Sequence, residues 1–379
     1  MLPEGWKHAK LGEIIKLSSG DKKPNDTVKE ISRSHHIPVY GGNGIMGYST
    51  LSNIYSECIS IGRVGEYCGS VHAIKNTSWI TDNSLYTKEM SKNCDFSFIY
   101  YLLINSNIPN LRNKGGQPLV SQKPIYGLPI LLPPLSEQKK IAAILSTWDR
   151  AIEGTEKLLA NSQQQKKTLM QQLLTGKKRL PGFTGEWRIC SLSDVATVQT
   201  ATSKTQYICE NGERFIVDMG SINRLGNLVC TKSTQHNADL LPKGTLVMPK
   251  DDIGGGNIIG RTSYIDRDDL YVLGDHVYAL HIDDCDSKFV HFIINSYPIN
   301  KNLRRRANGT AQLGLGKKDV LRQKIKIPSE LPEQKAIAAV LTTADEEITA
   351  LESDLSRLRQ EKKALMQQLL TGKRRVTID

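Results

Sequence analysis

Apolar positions recur at alternating steps of four and three along two stretches of the chain. The first runs through Ile141, Leu145, Trp148, Ile152, Thr155, Leu159, Ser162, Lys166, Leu169 and Leu173. The second runs through Ile337, Leu341, Ala344, Ile348, Leu351, Leu355, Leu358, Lys362, Leu365 and Leu369. Because an α-helix turns once in 3.6 residues, each set forms one stripe, and the spacing predicts two long helices with a coiled-coil seam and a lysine at the same seam position in both. Pro133-Pro134 and Pro332 precede the stretches, where a missing amide donor is harmless, and Gly176 and Gly372 follow them, where a left-handed residue ends a helix. Lys177-Lys178-Arg179 and Lys373-Arg374-Arg375 then complement the negative ends of the helix dipoles. About 40 residues at 1.5 Å each make either helix on the order of 60 Å long.

The two stretches are copies of each other. Residues 137–179 and 333–375 superpose without a gap at an offset of 196, with 25 of 43 positions identical. Two copies nearly 200 residues apart are a duplication, not a solenoid. Before each of them the texture is Gly-rich and strand-like, which gives four parts: a head at 1–134, a helix at 135–179, a second head at 180–330, and a helix with a basic tail at 331–379. The heads echo one another weakly. Trp6 to Ile14 resembles Trp187 to Val195, Cys58 to Arg63 resembles Gly256 to Arg261 in closing a β-rich run on Gly-Arg, and short apolar helices are expected at Phe96 to Leu103 and Phe289 to Ile294.

Charge adds a partner class. Fifty Lys and Arg against 39 Asp and Glu give a formal +11 over 379 residues, which favours a polyanionic partner. The distribution is sharper: residues 251–286 hold nine acids and two bases, and 288–326 hold ten bases and one acid. The densest part, Lys301 to Lys318, combines Arg304, Arg305 and Arg306 with Thr310, Gln312, Lys317 and Lys318. Its counterpart in the first head, Leu111 to Gln122, carries Arg112, Lys114 and Gln117. Arg and Lys suit phosphates, Arg and Gln can pair with base edges, and Gly admits close backbone approach, so these loops are the expected nucleic-acid contacts together with Arg63 and Arg261. Seven scattered cysteines show no zinc-site spacing. No apolar run approaches a membrane span, and the polar start lacks a secretory layout, so a cytoplasmic address is expected.

Signatures of catalysis fail one by one. Gly255 to Thr262 approaches a phosphate-binding loop, but Arg261 stands where Lys is needed and no amphipathic helix follows; a turn between strands is the better reading. Glu137-Gln138-Lys139 and Glu333-Gln334-Lys335 fit a nuclease E-x-K, yet each opens a helix, where Glu complements the dipole. The only Pro-Pro is Pro133-Pro134, not the loop with which an amino-methyltransferase holds a flipped base. Alternatives from other classes are a lone methyltransferase or nuclease and a scaffold whose heads bind protein, which salt-dependent duplex binding would separate.

These residues resemble the specificity subunits of type I restriction-modification enzymes. The resemblance spans the whole chain and rests on the duplicated Glu-Gln-Lys-x-Ile-Ala-x-x-Leu entries, the duplicated Leu-Met-Gln-Gln-Leu-Leu-Thr-Gly-Lys ends, and a tryptophan at the start of each head. It implies an α+β architecture: two target recognition domains of β-rich mixed structure, joined by two long antiparallel coiled-coil helices with a pseudo-two-fold internal repeat. It implies that each domain reads one half of a bipartite double-stranded DNA target, while the helices set the spacing and dock two modification (methyltransferase) subunits. Restriction (translocase and nuclease) subunits are further implied partners. The chain itself is then non-catalytic and binds no cofactor; S-adenosylmethionine, ATP and magnesium belong to the partners of an endonuclease and adenine-N6 methyltransferase complex.

Overall fold

The helices, in chain order, are α1 (Phe96–Asn105), α2 (Gln122–Tyr126), α3 (Leu135–Leu173), α4 (Ser287–Asn295), α5 (Tyr297–Arg306), α6 (Lys317–Leu321) and α7 (Leu331–Leu369). They belong to a computed structural model that describes residues 3–113, 115–253, 255–309 and 312–377. The four-three spacing accounts for α3 and α7, each of 39 residues. Seam residues Ile141, Leu145, Leu173, Ile337, Leu341, Leu355 and Leu369 are buried, and Trp148, Ile152, Leu159, Leu169, Ile348, Leu351, Leu358 and Leu365 are half-buried. Leu158, off the stripe, is 57% exposed. Gly176 and Gly372 end the helices with φ of +71° and +70°, and a Cβ there would lie 3.3 Å from the Trp187 ring and 3.4 Å from the Trp6 ring. The tryptophan that opens each head thus packs on the glycine that ends a helix.

The chain folds as two compact units, Met1–Glu156 with Ser353–Asp379, and Lys157–Glu352. The divisions at Glu156 and Glu352 are themselves 196 residues apart, the offset of the sequence repeat. In the first unit the early part of α3 runs antiparallel to the late part of α7: Glu137 meets Arg375, Asp149 meets Lys362 and Glu156 meets Arg359. In the second, Arg179 meets Glu333, Lys166 meets Asp345 and Ser162 meets Glu347. Each unit has its own core. One gathers Leu11, Ile15, Ile59, Ile61, Phe98 and Leu103 against Ile141, Leu145 and Leu369. The other gathers Leu192, Met248, Leu280, Phe289 and Ile294 against Leu173, Ile337 and Leu341. Each such side chain contributes about 1.5–3 kcal/mol by leaving water.

The heads share a plan. A four-stranded antiparallel sheet runs Ile15–Ser19, Ser84–Met90, Cys58–Gly62, Val71–Ile74 in one, and Ala196–Gln199, Val277–Ile282, Leu246–Pro249, Ser263–Tyr264 in the other. A three-stranded sheet accompanies each, and a final strand (Pro129–Leu132, Lys324–Pro328) pairs with the first (Lys7–Lys10, Trp187–Ser191) just before the long helix. α1 and α4 begin where the Asp95 and Asp286 carboxylates accept the amides of Phe98 and Phe289 at 2.9 and 2.8 Å. This alignment corrects one expectation. Cys58–Gly62 corresponds to Leu246–Pro249, not to Gly256–Gly260, which lies in the loop joining antiparallel strands Leu246–Pro249 and Ser263–Tyr264. Arg63 and Arg261 are therefore not counterparts; the shared Gly-Arg is a coincidence of two short strings.

Candidate nucleic-acid interface

Backbone hydrogen bonds fix which residues do correspond. The Arg63 amide donates to the Asn83 carbonyl (2.8 Å) and its carbonyl accepts from Val120 (2.8 Å); the Lys250 amide donates to His276 (3.0 Å) and its carbonyl accepts from Leu315 (2.7 Å). Lys250 thus occupies the station of Arg63, a match that sequence comparison missed because the strings around them differ. The next residues form short antiparallel bridges, Val64 with Leu119 and Asp251 with Gly314. Asn113 and Asn308 close the two loops by donating their amides to Leu119 and Gly314 at 3.0 and 2.9 Å. Counting back from Val120 and Leu315, Gln117 and Gln312 hold the same position, and both are exposed. Each head therefore presents a glutamine on a loop pinned beside a cation. Arg63 is half-buried, with its guanidinium donating to the Ser19 hydroxyl at 3.2 Å, and Arg112 is exposed. Lys114 and Thr310 lie outside the described residues.

The second head adds a cleft of about 570 Å³ that four cations, Arg261, Lys301, Arg304 and Arg305, line with Gly255, Gly256 and Tyr297. Burial, and then the charge of Arg304, push the Arg261 guanidinium below its ordinary pKa. Two bases in this region are tied to backbone carbonyls. Arg306 donates to the Asp319 carbonyl at 2.9 Å, and Lys317 donates to the Val198 carbonyl at 2.9 Å. In the first head Gln122 makes the corresponding bond to Leu17 at 3.1 Å, so Lys317 braces the start of α6 as Gln122 braces α2. Lys318 is exposed.

The duplicated Glu-Gln pair does more than complement a helix dipole. Glu137 and Glu333 are almost fully buried. Glu137 accepts from Arg375 at 2.7 and 2.9 Å and from the Trp6 indole at 3.0 Å, while Glu333 accepts from Arg179 at 2.5 and 2.7 Å. Gln138 accepts the Asp95 amide at 2.9 Å and donates to the Pro133 carbonyl at 2.9 Å; Gln334 does the same with Asp286 and Pro328, both at 2.9 Å. One Glu-Gln dipeptide therefore ties the start of each long helix to the basic end of the other copy and to the cap of the head's own helix. The seam lysines are explained in the same way. Lys166 pairs with Asp345 and lies 5.7 Å from the Phe292 ring; Lys362 pairs with Asp149 and lies 5.2 Å from the Tyr101 ring.

Beside these lysines each unit has a groove. Lys166, Lys167, Met170 and Gln171 line one of about 620 Å³ with Asn295 to Pro298, and Lys362, Lys363, Met366 and Gln367 line one of about 660 Å³ with Ile104, Asn105 and Asn107. The exposed Gln163 borders the former. Among the described residues no group of three or more His, Cys, Asp or Glu is placed to hold a metal ion, and no helix is long and apolar enough to cross a membrane.

Comparison with known proteins agrees with this geometry. The family model described as the type I restriction modification DNA specificity domain matches twice, at residues 3–161 and 184–358. The MjaVIII type I restriction enzyme specificity subunit of Methanocaldococcus jannaschii is 26% identical over 403 residues, covering 99% of this chain and 94% of the relative. The fold is similar to that of the type I restriction-modification S subunit from M. genitalium, with a TM-score of 0.72 at 15% identity over 96% of both chains. A second similar fold, from a type I R-M system studied for its complex assembly and conformational transition, has a TM-score of 0.56 at 17% identity over 99% of this chain and 100% of that one.

Proposed function

The chain belongs to the type I restriction-modification DNA specificity family, as a non-catalytic DNA-recognition subunit that assembles with other subunits, and from that premise we propose how it divides its work. Each head reads one half of a bipartite duplex target through the loop that carries Gln117 or Gln312, beside Arg63 or Lys250. A glutamine amide offers one donor and one acceptor, the pattern that adenine presents in the major groove, whereas the neighbouring cation takes a phosphate and fixes register. The carrying observation is that two heads of different sequence hold an exposed glutamine at one and the same station.

The helices set the distance between half-sites and dock two copies of a modification subunit. The paired grooves support this, since Lys-Lys-x-x-Met-Gln recurs in both at the repeat offset and offers one chemistry twice. Restriction subunits join that assembly, S-adenosylmethionine, ATP and magnesium are held by the partners, and the complex works in the cytoplasm. Mapping methylated sites in cells that carry this chain with its cognate modification subunit tests the reading. A split target is expected, with Gln117→Ala relaxing one half-site and Gln312→Ala the other. A contiguous target, or relaxation of both half-sites by either change, would refute it.

A further inference from the structure

The two heads carry the same scaffold but not the same charge on it. Their alignment drifts between two fixed points: the helix caps Asp95 and Asp286 are 191 residues apart, whereas Arg112 and Ala307, which follow the 3-10 turn Ile108–Leu111 and α5, are 195 apart. The second head therefore has four more residues here, one additional helical turn. Counting back from the shared end, Arg304 and Arg305 stand where the first head has Pro109 and Asn110, and Lys301 lies in the added turn. On the facing side Gly69 and Gly260, both with positive φ, sit against these turns: a Cβ on Gly69 would meet Pro109 at 2.6 Å, and one on Gly260 would meet Leu303 at 2.9 Å. The residue after each glycine is Ser70 in one head and Arg261 in the other. At matching places the first head is neutral and the second is cationic.

In the second head these side chains converge. Arg261, Lys301, Arg304 and Arg305 line one cleft, no carboxylate is among the residues that line it, and Arg261, Arg304 and Arg305 form no ion pair with a carboxylate among the described residues. Gly255 and Gly256, with φ of +78° and +79°, form part of its wall, where backbone without side chains can approach a ligand closely. Like charges gathered around one cleft repel. An anion with several oxygens offsets it, and guanidinium forks match phosphate oxygens two at a time.

We infer that this cleft is an anchor for the DNA phosphate backbone, present in the second head and absent at the matching places of the first, so that the second head supplies most of the sequence-independent, salt-sensitive part of binding. The inference rests on the DNA-reading function proposed above and adds an inequality to it. Two similar reading loops then work on unequal footing: one half of the chain holds the duplex while the other is free to test the second half-site.

The test is duplex binding by the full chain across a salt series. Each phosphate contact contributes about 0.9 to the slope of log affinity against log salt, so giving the cleft the first head's character through Arg261→Ser, Arg304→Ala and Arg305→Asn should flatten the slope by about 2 to 3. The same flattening is expected on a duplex that lacks both half-sites. Removing two cations at the first head's reading loop, Arg63→Ala with Arg112→Ala, should change the slope by less than about 1. Arg304→Lys with Arg305→Lys keeps the charge and should keep the slope, which separates lost charge from lost folding. Transplanting charge, Ser70→Arg with Asn110→Arg, should steepen it. A wild-type slope in the triple variant, or an equal loss from Arg63→Ala with Arg112→Ala, overturns the inference while leaving DNA reading intact. A wild-type chain that shows no salt-dependent duplex binding overturns both.

Discussion

His291, on α4, is held among groups that oppose its protonation. Its Nδ1 lies 3.1 Å from the Thr262 hydroxyl and 3.4 Å from the Asn295 amide nitrogen, and burial, then the charges of Lys166 and Lys288, push its pKa down to about 4. The unfolded chain takes up this proton near pH 6.5 and the folded chain only near pH 4, so between those values the unfolded state binds more protons and stability falls as pH drops. The loss should reach on the order of 2–3 kcal/mol by pH 4 and be absent at pH 7. Urea unfolding of wild type and His291→Phe at pH 7 and pH 4.5 checks this: the variant should lose much less stability on acidification, and equal losses would show that other groups govern it. None of this was legible in the sequence, where His291 is one apolar-flanked histidine. Its neighbour Lys166 comes from a helix more than a hundred residues earlier. Glu137 and Gln138 show the same limit. Their position at a helix start was plain, but burial against Trp6, Arg375 and the cap of α1 is long-range and invisible to local spacing.

At the scale of elements, the α7 stripe, apolar except for Lys362, raises the question of what the lysine is for. Lys362 is 15% exposed at its side chain and faces Asp149, whose other oxygen accepts the Tyr101 hydroxyl at 2.6 Å. Burial, and then this bond, hold the Tyr101 hydroxyl well above its ordinary pKa. Asp149→Ala strands an ammonium and a hydroxyl together and should cost about 1–3 kcal/mol, whereas Lys362→Met replaces the charge by a side chain of similar reach and should cost less. In the double variant the stranded charge is gone, so a coupling on the order of 1 kcal/mol should appear in a denaturant cycle. Additive costs would mean that the pair contributes nothing beyond packing. The four-three spacing located this lysine but could not find its aspartate, because the pairing depends on the antiparallel register of two helices. Strands were legible as a class and not as partners. Gly-Arg at 62–63 and 260–261 looked alike, yet only the sheet order shows that Lys250 is the counterpart of Arg63.

For the whole molecule the duplication was readable in the helices, where the offset stays at 196, and hidden in the heads, where it wanders: 181 at Leu17 and Val198, 191 at Asp95 and Asp286, 195 at Gln117 and Gln312. Insertions and deletions in the heads erase the alignment while backbone hydrogen bonds preserve it. The constancy in the helices bears on their proposed role, because a length kept without a gap in both copies is what a spacer requires. A change in spacing has to respect the contacts inside each unit. Lengthening α3 alone would shift its register against α7 and break Lys166 from Asp345 or Asp149 from Lys362. Four residues added after both Glu156 and Glu352, at the divisions between the units, leave every one of those pairs in place. The insertion adds about 6 Å at 1.5 Å per residue and about 400° of turn, a net 40°. One or two base-pair steps of about 3.4 Å match the length, and one step, with about 10 to 10.5 base pairs per turn, matches the rotation. Seven added residues would keep the seam in phase but give about 10 Å with a net turn near −20°, whereas three base pairs rotate the duplex by about 100°. Together with its modification subunit, the four-residue variant should therefore direct methylation to the same half-sites with a spacer one or two base pairs longer, and the complex with the seven-residue variant should lose activity. Methylation mapping of both variants decides it: an unchanged spacer at full activity in either would mean that the helices do not set the distance.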